Sequence, residues 1–469
     1  LTTAPEPAAT PGGARALPRR ARLGESLLAY FERRVFIMLV LGFSSGLPFL
    51  LVFGTLSAWL RQAGIPKTEI GFVSYVGLAY TVKFLWAPVL DHLHLPVLHR
   101  LLGRRRAWMV VAQLVIALGL LGIASSDPGE SLATVAAFAL LVAFGSATQD
   151  IAVDAWRIEA APKERQGVMA GAYQLGYRLA LIASGAGALY IAFYSSWHIS
   201  YSVMAALMGV GFLAAVFAPR VDERAEAAVA GEAEVEKAAE RLGLSVSLAH
   251  VATFLYRTVV APFVDFFARH KWSGLLILAL IGAYRLPDFV MGVMANPLYI
   301  DLGFSLAEIA SIAKIYGVGM SIGGALVGGV VVARLGLLRT LLVGVVAVLI
   351  GNLFFAWLAT RGHDFVALTL AISAENFASG FAGTALIAYM SSLTNVAFTA
   401  TQYALFSSFY ALPGKLLGGL SGWAVDQFGF VALYLSTSLM ALPALALVVT
   451  VMMRSRPAAR AARPARGSI

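Results

Sequence analysis

The chain has 469 residues, of which 59% are hydrophobic and 13% charged, with 45 Gly and no Cys. A soluble domain carries roughly 25% charged residues; here charge is scarce and the apolar residues come in blocks of about twenty, which excludes a water-soluble enzyme, a disordered protein and a nucleic-acid binder. The formal net charge of +10 sits between those blocks, where it carries membrane topology, and the lack of cysteine excludes disulfides, Cys-ligated zinc and iron–sulfur clusters.

Residues 1–34 are rich in Pro, Ala and Arg and read as a disordered arm. The first apolar block, Val35–Leu60, is too long for a signal peptide and lacks a cleavage site. Twelve spans are expected, at 35–60, 67–90, 107–125, 132–153, 167–192 and 200–218, then at 273–297, 306–332, 340–360, 364–390, 400–424 and 428–453. Helices are the expected form, since lipid offers the backbone no hydrogen-bond partner. The domain plan is a six-helix half (35–218), a linker (219–272), a second half (273–453) and a basic tail (454–469). The linker is Ala/Glu-rich from Asp222 to Arg241 and amphipathic from Ser245 to Arg269. This all-α polytopic plan, with 12 transmembrane helices in two six-helix halves around a midplane site, is that of the major facilitator fold. Gly42/Gly46, Gly319/Gly323 and Gly414/Gly418/Gly422 are spaced for close helix packing.

Loops on the side of the two termini hold 27 Lys+Arg, and those on the opposite side hold 3: Arg61, Lys67 and Arg361. The bias places both termini in the cytoplasm. A motif recurs in equivalent loops of the two halves: Asp91 with Gly103-Arg104-Arg105-Arg106, then Gly329, Arg334, Gly336 and Arg339, with Ala333 where an acidic residue is expected. The first copy is suited to latch one conformation by pairing a carboxylate, helix ends and Arg.

Ionisable groups inside a bilayer are costly unless paired or hydrated, so they point to function. Five cations lie inside spans: Lys83, Arg178, Arg285, Lys314 and Lys415. In span four, Asp150 and Asp154 are four apart and share one helix face. A carboxylate there that takes and gives up a proton suits a proton-coupled carrier; Asp150 is the first choice, Asp154 stands at the edge and can pair with Arg157, and Glu375 in span ten is the third. Span five offers Tyr173, Gln174, Tyr177 and Arg178, the last able to neutralise Asp150 or to hold a substrate carboxylate. Span seven offers Tyr284 and Arg285, with Asp288 a possible partner for the arginine. Lys83 reads as an anchor near the membrane edge. With Gln149, Lys314, Asn376 and Gln402 these side chains suit a large, hydrophilic, anionic solute, the aromatic faces stacking on sugar rings.

Several stretches together resemble one family. They are Leu41-Gly42-Phe43-Ser44-Ser45-Gly46-Leu47-Pro48, Lys83 to Pro88, the Gly-Arg-Arg-Arg at 103–106, Ser146 to Trp156, Gly176-Tyr177-Arg178, Val260 to Phe267, Glu375-Asn376-Phe377 and Ala400 to Leu405. The chain is similar, from about residue 35 to 453, to the AmpG-type muropeptide permeases. The resemblance implies proton-driven import of N-acetylglucosaminyl-anhydro-N-acetylmuramyl peptides across the bacterial inner membrane for wall recycling, and an indirect role in β-lactamase induction. It places the family's polar motif on Gln149, Asp150 and Asp154 and its glycine motif on Gly42 and Gly46. The partners expected are the anhydromuropeptide, protons and membrane lipids, with no cofactor, metal or nucleic acid. The alternatives are a facilitator for another solute such as acetyl-coenzyme A, or a membrane enzyme, for which no HExxH, GxSxG or P-loop pattern appears.

Overall fold

The computed structural model describes residues 32–87, 90, 93, 95–160, 166–220, 256, 261–393 and 399–461. Asp91, most of the arm and most of the linker lie outside these, and so does the side chain of Gln402. The described residues form helices joined by short turns, with no strand among them.

Among the described residues, ten helices are long and apolar enough to cross a membrane: α1 (Arg33–Gln62), α3 (Arg104–Ala124), α4 (Leu132–Ala160), α5 (Val168–Tyr194), α6 (Trp197–Phe217), α7 (Ser273–Asp301), α8 (Leu306–Leu335), α9 (Leu337–Leu358), α10 (Phe365–Leu393) and α12 (Ser421–Arg454). Two shorter runs complete the set of twelve: α2, broken into pieces over 67–85, and α11 (Thr399–Gly418). With an even number of crossings, the start of α1 and the end of α12 lie at one end of the bundle, called here the terminal end; the other is the far end. Side-chain caps mark water-facing helix starts at the far end. Ser196 accepts from the Ile199 N–H at 3.2 Å, Ser305 and Glu308 form a capping box, and Asp364 accepts from Val366 and Ala367 at 2.9 and 3.1 Å.

Several spans are not straight. α1 breaks between Leu51 and Gly54, and α7 breaks at Arg285. α2 contains 3₁₀ turns at Ser74–Gly77 and Lys83–Leu85. α5 and α8 each contain a π segment, Ala183–Gly187 and Ala310–Tyr316. Such breaks need neighbours to satisfy the freed carbonyls, and in membranes they concentrate at functional positions.

Glycine sets the close helix approaches. A Cβ on Gly42 would lie 2.2 Å from the Tyr173 carbonyl oxygen, and one on Gly176 would lie 1.9 Å from that of Leu39, so α1 and α5 touch backbone to backbone. Gly46 adds a 2.7 Å approach to Tyr177. In the second half the contact falls on Gly324 and Gly380, against Phe377 and Ser321, and not on the expected Gly319 and Gly323, where a Cβ would meet nothing within 4 Å. The π segment just before them carries an extra residue per turn and rotates the helix phase, so a neighbouring pair of glycines faces α10.

The two loop copies have the same backbone. Gly103 and Gly336 both adopt φ 81° and ψ 166°, with their N–H bonded to the carbonyls of His99 and Val332. That φ favours glycine, which lets one helix stop and the next begin without an intervening loop. In the linker, Ala261–His270 is helical, and Phe266 buries itself edge-to-face on Phe406 of α11 with ring centroids 5.2 Å apart. The last helix continues through Ala461, into the region expected as a tail.

Candidate functional site

The halves meet at the far end through a charged cluster. Arg61 of α1 and Lys67 of α2 both pair with Asp301 of α7, the lysine at 3.1 Å. Asp426, at the far end of α12, accepts from the Thr68 N–H at 2.8 Å and from its hydroxyl at 2.7 Å, and stands 3.9 Å from Lys67. Backbones press together here as well: a Cβ on Gly422 would lie 1.7 Å from the Lys67 carbonyl oxygen. Tyr190 of α5 and Ser311 of α8 share a 2.7 Å hydrogen bond. Hydrogen bonds and ion pairs between described residues of the two halves lie in this far part and at the middle.

Asp150 is placed in the middle of the first half, with its side chain 15% exposed. Its partner is Lys83 of α2, with Nζ 3.6 Å from Oδ2. This corrects two expectations: Lys83 is not merely an anchor, and Arg178 does not neutralise Asp150. Oδ1 of Asp150 is buried and has no hydrogen-bond partner among the described residues. Ser45, Tyr173, Tyr177 and Tyr80 surround the carboxylate closely enough to feel its charge or bond to it. Asp154 is half exposed and pairs with Arg157 at 3.4 Å.

Arg178 and Gln174 are exposed on α5. Gly185, further along the same helix, faces the stem of Lys314 from α8. Among the described residues Arg178 makes no hydrogen bond or ion pair.

Other expected ligands point elsewhere. Gln149 is fully buried; its amide oxygen accepts from Ser44 and its amide N–H donates to Ser45, both at 3.2 Å, which ties α4 to α1. Tyr284 is buried and donates to the Leu341 carbonyl at 3.0 Å, toward α9. Neither side chain is free to meet a solute in this conformation. Arg285, at the break in α7, pairs with Asp288 at 2.8 Å and donates to the Ser379 carbonyl and hydroxyl of α10 at 2.9 and 3.1 Å. Asn376 donates to Ile372 of its own helix at 3.2 Å. Glu375 lies within electrostatic reach of Asp288, Arg285 and Lys314, so the second half holds a mixed-charge group at its centre.

The loop motif works inside the first half. Arg105 forms a 2.8 Å ion pair with Glu159 of α4, and Arg106 donates to the carbonyls of Val216, at 3.0 Å, and Ala218 at the end of α6. The expected carboxylate partner, Asp91, is outside the described residues. In the second copy, Arg334 and Arg339 are exposed and, among the described residues, make no such bond.

Sequence reasoning passed over Asn296, Asp301 and Asp426 and read Arg61 and Lys67 only as topology marks. Their one signal was being polar in apolar surroundings, at matching far-end positions of both halves.

Comparisons with known proteins show the family and the fold. The Major Facilitator Superfamily profile matches residues 35–414 and 286–468. The anhydromuropeptide permease of Escherichia coli K12 is 34% identical over 425 residues, 90% of this chain and 80% of that protein. A putative transporter AmpG 4 of Rickettsia conorii is 34% identical over 416 residues, covering 88% and 95%. The chain belongs to the Major Facilitator Superfamily, among its AmpG-type permeases. It is a multi-pass membrane transporter and not an enzyme. Solved structures share the fold at low identity: the xylose transporter XylE from E. coli, in a partially occluded inward-open conformation, superposes with a TM-score of 0.63 at 10% identity, over 93% of this chain and 99% of that one. The nucleoside transporter NupG gives 0.60 at 14% identity, over 88% and 98%.

Proposed function

We propose that this transporter imports anhydromuropeptides across the bacterial inner membrane by proton-coupled alternating access, with both termini in the cytoplasm. The observation that carries the reading is the Asp150–Lys83 pair: a carboxylate deep in a span, with one oxygen paired with a cation and the other without a donor among the described residues. A proton arriving on Oδ1 cancels the charge that holds Lys83, and the lysine is then free to seek another acceptor. Because α2 is broken at Lys83–Leu85, a change in that bond bears on a segment with few helical hydrogen bonds of its own. Charge on the first half is thereby linked to the packing of α2 against α11, which is part of the interface between the halves.

The name of the E. coli relative supports the solute, and the exposed Arg178 and Gln174, with the neighbouring Tyr173/Tyr177 pair of α5, support a bulky solute with carboxylates. Glu375, Arg285 and Lys314 face it from the second half. The excess of 27 basic residues over 3 supports the orientation, in which the terminal end is the cytoplasmic mouth. Wall recycling, and an indirect effect on β-lactamase induction, follow from delivering such fragments to the cytoplasm.

The test is uptake of labelled anhydromuropeptide into vesicles under an imposed proton gradient, with acetyl-coenzyme A as competitor. Accumulation that an uncoupler abolishes and acetyl-coenzyme A does not compete is the expected result. Uptake indifferent to the uncoupler removes the proton coupling, and loss of uptake to acetyl-coenzyme A changes the solute.

A further inference from the structure

Between the two halves lies a cavity of about 260 Å³ lined by α1, α2, α7, Lys314 and Lys415. It is smaller than the roughly 300–1,000 Å³ of sites that enclose a whole drug-sized ligand, so it takes the end of a solute. Its walls are mostly apolar, with six polar side chains: Ser57, Ser74, Asp288, Asn296, Lys314 and Lys415.

The charges do not balance. Asp288 is already engaged by Arg285, at 2.8 Å. Lys415 donates to the Gly77 carbonyl at 2.9 Å and lies over the Tyr80 ring at 5.5 Å, two contacts that leave its charge without a counter-ion. Lys314 makes no hydrogen bond or ion pair among the described residues; its stem passes Gly185, and its ammonium lies beside Gly54. Both lysines belong to the second half, and both reach surfaces of the first. Asn296, 2% exposed, donates through Nδ2 to the Gly54 carbonyl, which leaves its buried Oδ1 as an acceptor with no donor.

Among the described residues, Lys415 has no anion, Lys314 has only the unbonded charge of Glu375 within reach, and one buried acceptor has no donor; together they define a complementary ligand, an anion next to an N–H. We infer that this cavity is an end-group subsite that holds the terminal carboxylate of a peptide between Lys314 and Lys415, with the adjacent amide N–H donated to Asn296. The inference deepens the proposed function by naming the part of the solute that is recognised and the residues that recognise it. Because the lysines and the surfaces they meet belong to opposite halves, a bound carboxylate joins the halves at their centre, and only a solute that carries one makes that joint. Glycine at 54 leaves room for it, since a Cβ there would come 3.0 Å from Asn296 Nδ2 and crowd the amide.

The test uses two pairs of probes on the full-length protein. The first pair is N-acetyl-alanyl-alanine and its C-terminal amide, read by thermal shift of the purified protein in detergent. The acid is expected to raise the midpoint of the wild type and the amide to leave it in place. Lys314→Gln and Lys415→Gln should abolish the response to the acid, and Asn296→Ala should weaken it. The second pair is anhydromuropeptide with its peptide terminus free or amidated, read by binding. Amidation should cost the wild type about tenfold, the scale of a lost charge-assisted hydrogen bond, and should cost Lys314→Gln and Lys415→Gln nothing further. Equal shifts by acid and amide, no shift by the acid, or equal losses in the lysine variants for both forms of muropeptide would overturn the subsite. A wild type that binds the small acid and ignores muropeptide would keep the subsite and reject the proposed solute.

Discussion

The two ends of the bundle use charge in opposite ways. At the far end, Arg61 and Lys67 of one half reach Asp301 and Asp426 of the other, so the ionic contacts run between the halves. At the terminal end, three described arginines of the first half bond to carbonyls of that same half. Arg33 donates to the Phe217 carbonyl at 2.9 Å, Arg34 to that of Ala160 at 2.6 Å, and Arg106 to those of Val216 and Ala218, all at the C-terminal ends of α6 and α4. Those helix ends present unpaired carbonyls and the negative pole of the dipole, which a guanidinium satisfies. The difference teaches that the basic residues which set topology also cap helices within a rigid half. The few charges at the other end are left to make and break contacts between the halves.

The sharpest way to break this contrast is to wedge the far end open. Gly422→Leu places a side chain where the Lys67 carbonyl already stands, with no room for even a Cβ. Uptake should fall by at least tenfold, and a disulfide engineered between positions 68 and 426 should cease to form. Next in size is Asp301→Asn, which strips both Arg61 and Lys67 of their shared anion. A loss of about 1–2 kcal/mol, roughly tenfold in the population of the far-end-closed state, should appear in spin-label distances across that end, and Arg61→Ala on top of it should add little. Smaller again is Arg178→Ala, which should weaken binding of the peptide-bearing solute several-fold while sparing the bare disaccharide. Equal loss for both would assign Arg178 a structural role. The smallest effects belong to the loop copies. Arg105→Ala loses a pair that is partly exposed through Glu159 and should cost under about 1 kcal/mol of stability, whereas Arg334→Ala should cost nothing measurable by thermal melting.

The fold was legible because lipid makes a span of about twenty apolar residues nearly obligatory as helix. Short-range pairs such as Asp154–Arg157 and Arg285–Asp288 were equally open to reading, since three residues along a helix is a contact distance. What spacing could not give was the rotation of each helix. Gln149 and Asp150 are neighbours, yet one is tied between helices and the other meets Lys83, 67 residues away, on a span unwound into 3₁₀ turns. Gly319/Gly323 and Gly324/Gly328 offer the same spacing, and the π segment before them decides which pair faces α10. Lys314 and Lys415 were visible as cations inside spans, but that they meet at one cavity depends on the packing of five helices.

The central claim is that the Asp150 carboxyl carries the proton that moves with the solute. It is tested by adding anhydromuropeptide to vesicles loaded with a pH-sensitive dye, for wild type and for Asp150→Asn. The account predicts a solute-dependent proton influx with wild type and none with Asp150→Asn, while that variant still exchanges labelled for unlabelled solute across the membrane without a gradient. A solute-dependent influx of equal size in Asp150→Asn would contradict it.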